Sequence, residues 1–267
     1  MNATGSASAR SKKFANVLFT CLVSALIWAA LVKTANLCLG SAMTPGPAAI
    51  LKKFGALLFS GEMLREMGLT AGRGLVGVFF ANVLGLVLGV LAGKFGFLLR
   101  LTAPLVSGIQ SCPPIVWIAF VMVWAGTGSL VPVATVFAAT VPFVFSNTAQ
   151  GVMGLPRRIL QTAKIYDVSP AKVFRLVTLP GIMPFWLAGL SAVLSTAWKA
   201  AAVAEYMGSR DGAGAKIYWS YAKLDMESLH AWALALIVFG LLVESLLITP
   251  LRDKAARMAS RSEACVR

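Results

Sequence analysis

Two ionisable side chains, Lys199 and Glu205, lie inside a long apolar segment of this chain. An ionisable group within a membrane-spanning helix is costly, so by default it faces a bundle interior or a water-filled path. Six residues of helix separate the two groups by about 9 Å along the axis and about 600° of rotation, so they lie on different faces. Lys199, beside Trp198, is predicted to line a path as a cation, and Glu205 to make a contact near the outer surface. The alternative is that both side chains extend to the membrane–water interface.

No group of residues in the sequence points to catalysis. The chain has one histidine, His230, and its four cysteines are scattered without a C-x-x-C spacing. Metal sites, a disulfide framework and a Ser–His or paired-carboxylate active site are therefore not expected. The chain has no G-x-x-x-x-G-K-[ST] loop, the usual cradle for nucleotide phosphates. We expect no enzyme activity, no metal and no bound cofactor in this chain.

The composition is typical of a membrane protein. Of the 267 residues, 58% are hydrophobic and 13% are charged, and the mean hydropathy is +0.79. A soluble domain is about half apolar and about a quarter charged, so the excess apolar surface must face lipid. Given that excess, the net charge of +14 indicates anionic headgroups as the partner rather than nucleic acid.

About six apolar segments are long enough to cross a bilayer, which predicts an all-α, polytopic membrane protein. They are residues 14–34, 74–93, 101–125, 129–150, 181–205 and 231–250. Pro113 and Pro114 interrupt the third segment, and because proline removes a helical hydrogen bond we expect a bend there, facing a pore. The second segment has small residues at every fourth position, Gly77, Ala81, Gly85, Gly89 and Gly93. This stripe lets another helix backbone approach closely.

Lysine and arginine are unevenly distributed among the loops. With the N-terminus inside, the inside segments carry roughly twice as many of them as the outside segments. Both termini and the loop 153–180 are therefore predicted to be cytoplasmic. The predicted organisation is an N-terminal segment (1–13), one membrane domain (14–250) and a tail (251–267). The first apolar segment could instead be a secretory signal, although it is longer than the usual signal core.

The loop 153–180 carries a motif with defined spacing. Its residues are Gln161, Thr162, Ala163, Asp167, Val177, Leu179 and Pro180. Pro156 precedes one short helical run, and Ser169-Pro170 is a typical start for another. We predict two short helices, about 158–166 and 170–178, the second of which ends at Leu179-Pro180. Such a rigid knob could transmit a push from a moving partner to the adjacent spans. The alternative is an ordinary basic loop held on anionic lipid.

This motif resembles the EAA loop of bacterial ABC importer permeases, E-A-A-x3-G-x9-I-x-L-P, with the same spacing throughout. Gln161 stands where the family has glutamate, and Asp167 where it has glycine; aspartate can occupy the left-handed conformation that a glycine there would use. The resemblance implies the type I importer permease fold. It also implies a homodimer in the bacterial inner membrane, a docked ATP-binding cassette subunit that holds ATP and Mg²⁺, and a periplasmic or lipid-anchored solute-binding protein.

A second resemblance narrows the family. The stretch from Trp198 to Gly208, with the Gly212-Ala213-Gly214 turn, is similar to the segment after the EAA loop in permeases of the nitrate, taurine and aliphatic-sulfonate importers. Pro113-Pro114 also resembles a double proline of that branch. The resemblance implies a small anionic solute and places Pro113, Pro114, Trp198, Lys199 and Glu205 along the translocation path or its gate. Import of bicarbonate or a thiamine precursor remains an alternative, as do an ATPase-independent carrier or channel and a non-transporting scaffold.

Overall fold

A computed structural model describes residues 45–266, together with Thr34 and Met43, and every regular element in them is helical. In chain order the helices are α1 (Pro47–Phe59), α2 (Glu62–Lys94), α3 (Gly96–Ser111), α4 (Pro114–Ala125), α5 (Leu130–Met153), α6 (Arg157–Ile165), α7 (Pro170–Val173), α8 (Leu179–Gly208), α9 (Ala213–Ala222), α10 (Met226–Val243) and α11 (Thr249–Val266). The predicted all-α fold class is confirmed.

Four helical stretches of the described chain are long and apolar enough to cross a membrane: Glu62–Lys94, Leu130–Met153, Pro170–Gly208 and Met226–Ala259. The bent pair α3 and α4 adds a fifth if the two helices form one span. The predicted first span, 14–34, lies outside the described residues apart from Thr34. Within the described residues the predicted count of about six is therefore not reached. Helix α2 also begins well before the predicted start of the second segment at residue 74.

The core of the fold is the packing of α2 against α5 and of α5 against α8. The predicted small-residue stripe of α2 lies directly on α5, where it meets Val136, Val144, Thr148 and Val152. A Cβ added at Gly85 would lie 2.6 Å from the Val144 Cβ, and one added at Gly93 would lie 2.5 Å from the Val152 Cβ. Since real Cβ atoms do not approach so closely, alanine at either position would force the helices apart. The interpretation of the stripe is confirmed.

The expected break at the double proline is present. Helices α3 and α4 meet at Cys112-Pro113 and are bent by 94°. Pro113 has an extended backbone, with ψ 142°, and Pro114 is the first residue of α4, where its missing N–H leaves no hydrogen bond unmade. Each helix alone is too short to span a bilayer, at 16 and 12 residues.

The predicted helix end at Leu179-Pro180 is wrong. Helix α7 continues through a π-helical turn, Phe174–Thr178, directly into α8, so the helical path runs from Pro170 to Gly208. In that turn the Leu179 N–H donates to the Phe174 carbonyl, five residues back. The wider turn makes room for the Pro180 ring, which in a regular α-helix would clash with the carbonyl four residues earlier. A second π turn, Glu244–Ile248, precedes Pro250 in the same way.

Candidate functional site

The first half of the spaced motif lies on α6. Gln161 and Thr162 are exposed, and Ala163 is half-buried. The Thr162 hydroxyl donates to the Arg158 carbonyl, 3.0 Å away on the same helix. The structure records no hydrogen bond from the Gln161 side chain to a described residue, so its carboxamide is available to a partner.

Asp167 ends α6 in the conformation that the sequence predicted. Its φ is 47°, in the left-handed region. The Val168 N–H donates to the Ala163 carbonyl at 2.9 Å, and the Asp167 N–H donates to the Lys164 carbonyl at 3.2 Å. This pair of bonds is the Schellman motif, which satisfies the last carbonyls of the helix and usually uses glycine at this position. Aspartate tolerates the conformation at a modest steric cost, so the turn keeps its shape without glycine.

The loop exposes both apolar and basic side chains. Ile165, Tyr166 and Leu176 are 79%, 77% and 69% exposed. The exposed cations of the same loop are Arg158, Lys164, Lys172 and Arg175. A groove of about 410 Å³ runs beside α6, and Ala163 forms part of its wall with Arg158 and Tyr166. Exposed apolar residues within a charged rim are typical of an interaction surface.

The second half of the motif lies in and after the π turn. Val177 is half-buried within the turn, whereas Leu179 and Pro180 are exposed at the start of α8. This second half of the motif is joined to the far end of α8, near Glu205, by uninterrupted helix, whereas residues 166–169 separate it from the first half on α6.

Glu205 is the centre of a buried polar cluster at that far end. Its side chain is fully buried, at 0% exposure. The Thr70 hydroxyl donates to Glu205 Oε2 at 2.7 Å, and the Gly214 N–H donates to the same oxygen at 3.2 Å. The Arg73 guanidinium donates to Glu205 Oε1 at 2.8 Å. Because every contact is to another helix or to the turn after α8, the cluster joins α2, α8 and the start of α9.

Thr70 and Arg73, the two side chains that donate to this carboxylate, were both missed in the sequence analysis, which counted Arg73 as a loop cation. Arg73 lies in α2, is 7% exposed, and also donates to the Asp211 carbonyl and the Ser129 hydroxyl, at 2.8 and 2.7 Å. Its further hydrogen bond to the Asp211 side chain holds the pKa of that carboxyl below its usual range. A sequence signal was available, because Glu66, Thr70 and Arg73 recur at helical spacing on one face of α2.

The glycine turn after α8 fits closely around the carboxylate. A Cβ on Gly212, whose φ is 99°, would lie 2.3 Å from the Glu205 carboxyl carbon, and one on Gly214 would lie 2.0 Å from the Ala202 carbonyl oxygen. The Gly212 and Ala213 N–H groups donate to Glu66 Oε2 and the Thr70 hydroxyl, at 2.6 and 2.9 Å. Both glycines are therefore required by close approach and, at Gly212, by backbone conformation.

Trp198 packs into the helical bundle, whereas Lys199 is exposed beside the Trp198 ring. The half-buried Trp198 ring packs edge-on against Phe239, with centroids 6.4 Å apart, and a Cβ on Gly240 would lie 2.6 Å from the indole. Trp198 thus joins α8 to α10. Lys199 is exposed, and its Nζ lies 5.7 Å from the Trp198 ring centroid. Pro113 and Pro114 are also exposed. The structure therefore brings Glu205 together with Arg73, but it places none of the other predicted path residues in that cluster.

The segment from the middle of α2 to the first residue of α11 identifies the family. Residues 85–249 match the family described as binding-protein-dependent transport system inner membrane component. The chain belongs to this family. The predicted recognition is confirmed, since the matched region includes the loop motif and the Glu205 segment of this permease.

Several curated relatives are similar to the permease over most of its length. A probable ABC transporter permease of Brucella melitensis is 24% identical over 208 residues, which cover 78% of this chain and 85% of the relative. A putative aliphatic sulfonates transport permease of Bacillus subtilis is 25% identical, covering 75% and 73%. A nitrate import permease of Leptolyngbya laminosa is 25% identical over 146 residues, covering 55% and 52%.

A solved structure shares the fold of the permease. A chain of the inward-facing MetNI methionine ABC transporter superposes with a TM-score of 0.60 at 19% sequence identity, covering 71% of this permease and 94% of that chain. The type I importer permease fold is thus confirmed.

Proposed function

We propose that this permease is the membrane subunit of an ATP-driven importer and that a separate ATP-binding cassette subunit docks on the loop 153–180. The observation that carries the proposal is the exposed apolar and basic surface of the loop, whose second part, from Pro170 onwards, continues as unbroken helix to the far end of α8. A partner pushing on this surface would act on a rigid element rather than on a flexible loop. ATP and Mg²⁺ belong to the partner, and a solute-binding protein delivers the substrate.

The same proposal includes a homodimer in the bacterial inner membrane with both termini cytoplasmic. One face of the second half of α8 carries exposed side chains, Lys199, Val203 and Met207. The opposite face, with Ala197, Ala200, Ala201 and Ala204, is buried against the rest of the fold. A second copy against the exposed face would enclose a path between the two α8 helices. Closure of two ATPases would then move both loops and switch the path from inward-open to outward-open.

The experiment is reconstitution of the permease into proteoliposomes with and without the ATPase and binding protein. We expect solute uptake only when both partners and ATP are present. Uptake by the permease alone, without the ATPase, would contradict the proposal and favour a secondary carrier or channel. A scaffold that does not transport would be favoured by two results together. The proteoliposomes would show no uptake under any condition, and cells that lack the gene would still take up the solute.

We propose a small anion as the substrate, in the class of sulfonates or nitrate. Relatives are described as permeases for aliphatic sulfonates, nitrate and bicarbonate. Lys199 supplies a cation on the exposed face of α8. Import of a neutral or cationic thiamine precursor is the alternative, and it gives Lys199 no electrostatic role.

Lys199→Met is expected to reduce uptake of the anion about tenfold, since a hydrogen bond to a charged group contributes about 1.5–3 kcal/mol. The measurement is radiolabelled uptake by the reconstituted complex, with ATP hydrolysis followed separately. Lys223→Met is the matched control, because Lys223 is also exposed but lies at the end of α9. Wild-type uptake by Lys199→Met would move this lysine out of the path and remove the electrostatic support for an anion.

A further inference from the structure

A cavity of about 610 Å³ lies between the loop and the ends of two spans. Its membrane-side walls are the last residues of α2 and α5, and its outer wall is the loop from Leu160 to Phe174. The membrane-side walls are fixed by close packing: a Cβ on Gly93 would lie 2.5 Å from the Val152 Cβ, and one on Gly181 would lie 2.3 Å from Leu155 Cδ2. The cavity is therefore preformed on the side that meets the bilayer.

The cavity carries two positive charges, and no carboxylate lines it. The cations are Lys94 and Lys164. The Lys94 Nζ lies 5.6 Å from the centroid of the Phe174 ring, which also lines the cavity. Neither lysine forms an ion pair with a described residue. The remaining wall is largely apolar, with Leu155, Leu160 and Val168. The site therefore combines an unneutralised cationic pair with apolar surface.

We propose that this cavity binds an anionic glycerophospholipid, with the headgroup phosphate on Lys94 and Lys164 and the glycerol and upper acyl region on the apolar wall. The ends of α2 and α5 place the cavity where a bilayer surface meets the protein, because both helices are spans that end there. Basic pockets between spans are known to attract anionic headgroups. A lipid here contacts both the spans and α6, so it braces the loop on which the ATPase is proposed to dock; only this consequence rests on the proposed function.

The test counts phosphatidylglycerol molecules that stay bound to the detergent-purified permease, using native mass spectrometry and phosphatidylcholine as the neutral comparison. We expect the wild type to retain phosphatidylglycerol preferentially. Lys94→Gln with Lys164→Gln should lower its retention at least tenfold, whereas Lys94→Arg with Lys164→Arg should keep it. The matched control is Lys172→Gln with Arg175→Gln, which removes the same charge from the same loop outside the cavity.

Three results would overturn the proposal. Equal loss in the Lys172 and Arg175 control would show a general charge effect rather than a site. Unchanged retention in the Lys94→Gln with Lys164→Gln variant would show that the lysines do not bind lipid. Their role would then be limited to stabilising the C-terminal ends of their own helices. Displacement of phosphatidylglycerol by millimolar inorganic phosphate, to the same extent as by added phosphatidylglycerol, would assign the site to free phosphate. Because lipid is counted without the ATPase, none of these results bears on ATPase docking, which a separate pull-down of the same variants measures.

Discussion

Ala163→Arg should lower recovery of the ATPase with the purified permease about thirtyfold or more, as loss of a central interface contact costs about 2 kcal/mol or more. Ala163 is half-buried in α6 and forms part of the wall of the groove beside Tyr166. An arginine there would fill the groove with a long charged side chain, in the place where a partner would insert. The measurement is co-purification from membranes that contain equal amounts of each permease variant.

Ala222→Arg is the control for this prediction. It makes the same substitution at an exposed residue at the end of α9, far along the chain from the loop. Gln161→Glu is the positive counterpart, because it restores the charge of the family motif at an exposed position. A charged hydrogen bond exceeds a neutral one by about 1 kcal/mol, so binding should tighten about fivefold. Wild-type ATPase recovery by Ala163→Arg would exclude this groove as the docking site.

Arg73→Met should destabilise the permease by about 3–5 kcal/mol, since removing one partner of a buried pair leaves an uncompensated charge. The Glu205 carboxylate would remain fully buried, with only the Thr70 hydroxyl and the Gly214 N–H as donors. The contacts of Arg73 to Ser129 and Asp211 would be lost at the same time. Thermal unfolding in detergent, followed by the loss of the monodisperse peak in size-exclusion chromatography, measures the effect.

The double variant Arg73→Met with Glu205→Met should recover much of this loss, because replacing both partners of a buried pair by apolar residues is often neutral. Lys53→Met is the control, since Lys53 and Asp225 form a partly exposed ion pair at 3.9 Å. A pair of that kind contributes about 0–1 kcal/mol. If Arg73→Met and Lys53→Met unfold at the same temperature, the buried pair contributes no special stability.

Local spacing was sufficient to predict where the two short helices of the loop begin. The distances between Ala163, Asp167 and Leu179 along the chain matched a family pattern, and Ser169-Pro170 marked the start of the second helix. The left-handed backbone of Asp167 followed from the chemistry of one position. The glycine stripe of α2 was predictable for the same reason, because four-residue periodicity depends only on helix geometry.

Contacts between residues far apart in the chain could not be predicted from the sequence. Hydropathy treated Glu66 and Arg73 as loop residues, whereas their partners lie 146 and 132 residues away, at Gly212 and Glu205. These contacts keep charged side chains inside the helical bundle, so α2 starts earlier than its apolar run. The predicted end at Leu179-Pro180 failed for a different reason. Proline usually ends a helix, but a preceding π turn removes the clash, and only the backbone geometry shows that turn.

The π turn at Phe174–Thr178 also determines how far the loop is rotated about the helix axis relative to α8. A π turn holds one residue more than the α-helical turn it replaces, and one residue of α-helix is about 100° of rotation. Shortening the chain by one residue here would restore a regular α-helical turn, in which the Pro180 ring clashes with the carbonyl four residues earlier. It would also rotate the loop by roughly a quarter of a circle relative to the face of α8 that carries Lys199. The number of residues between the loop and α8 therefore sets the orientation of the loop about the helix axis. The permease should tolerate substitutions in this turn better than a single deletion.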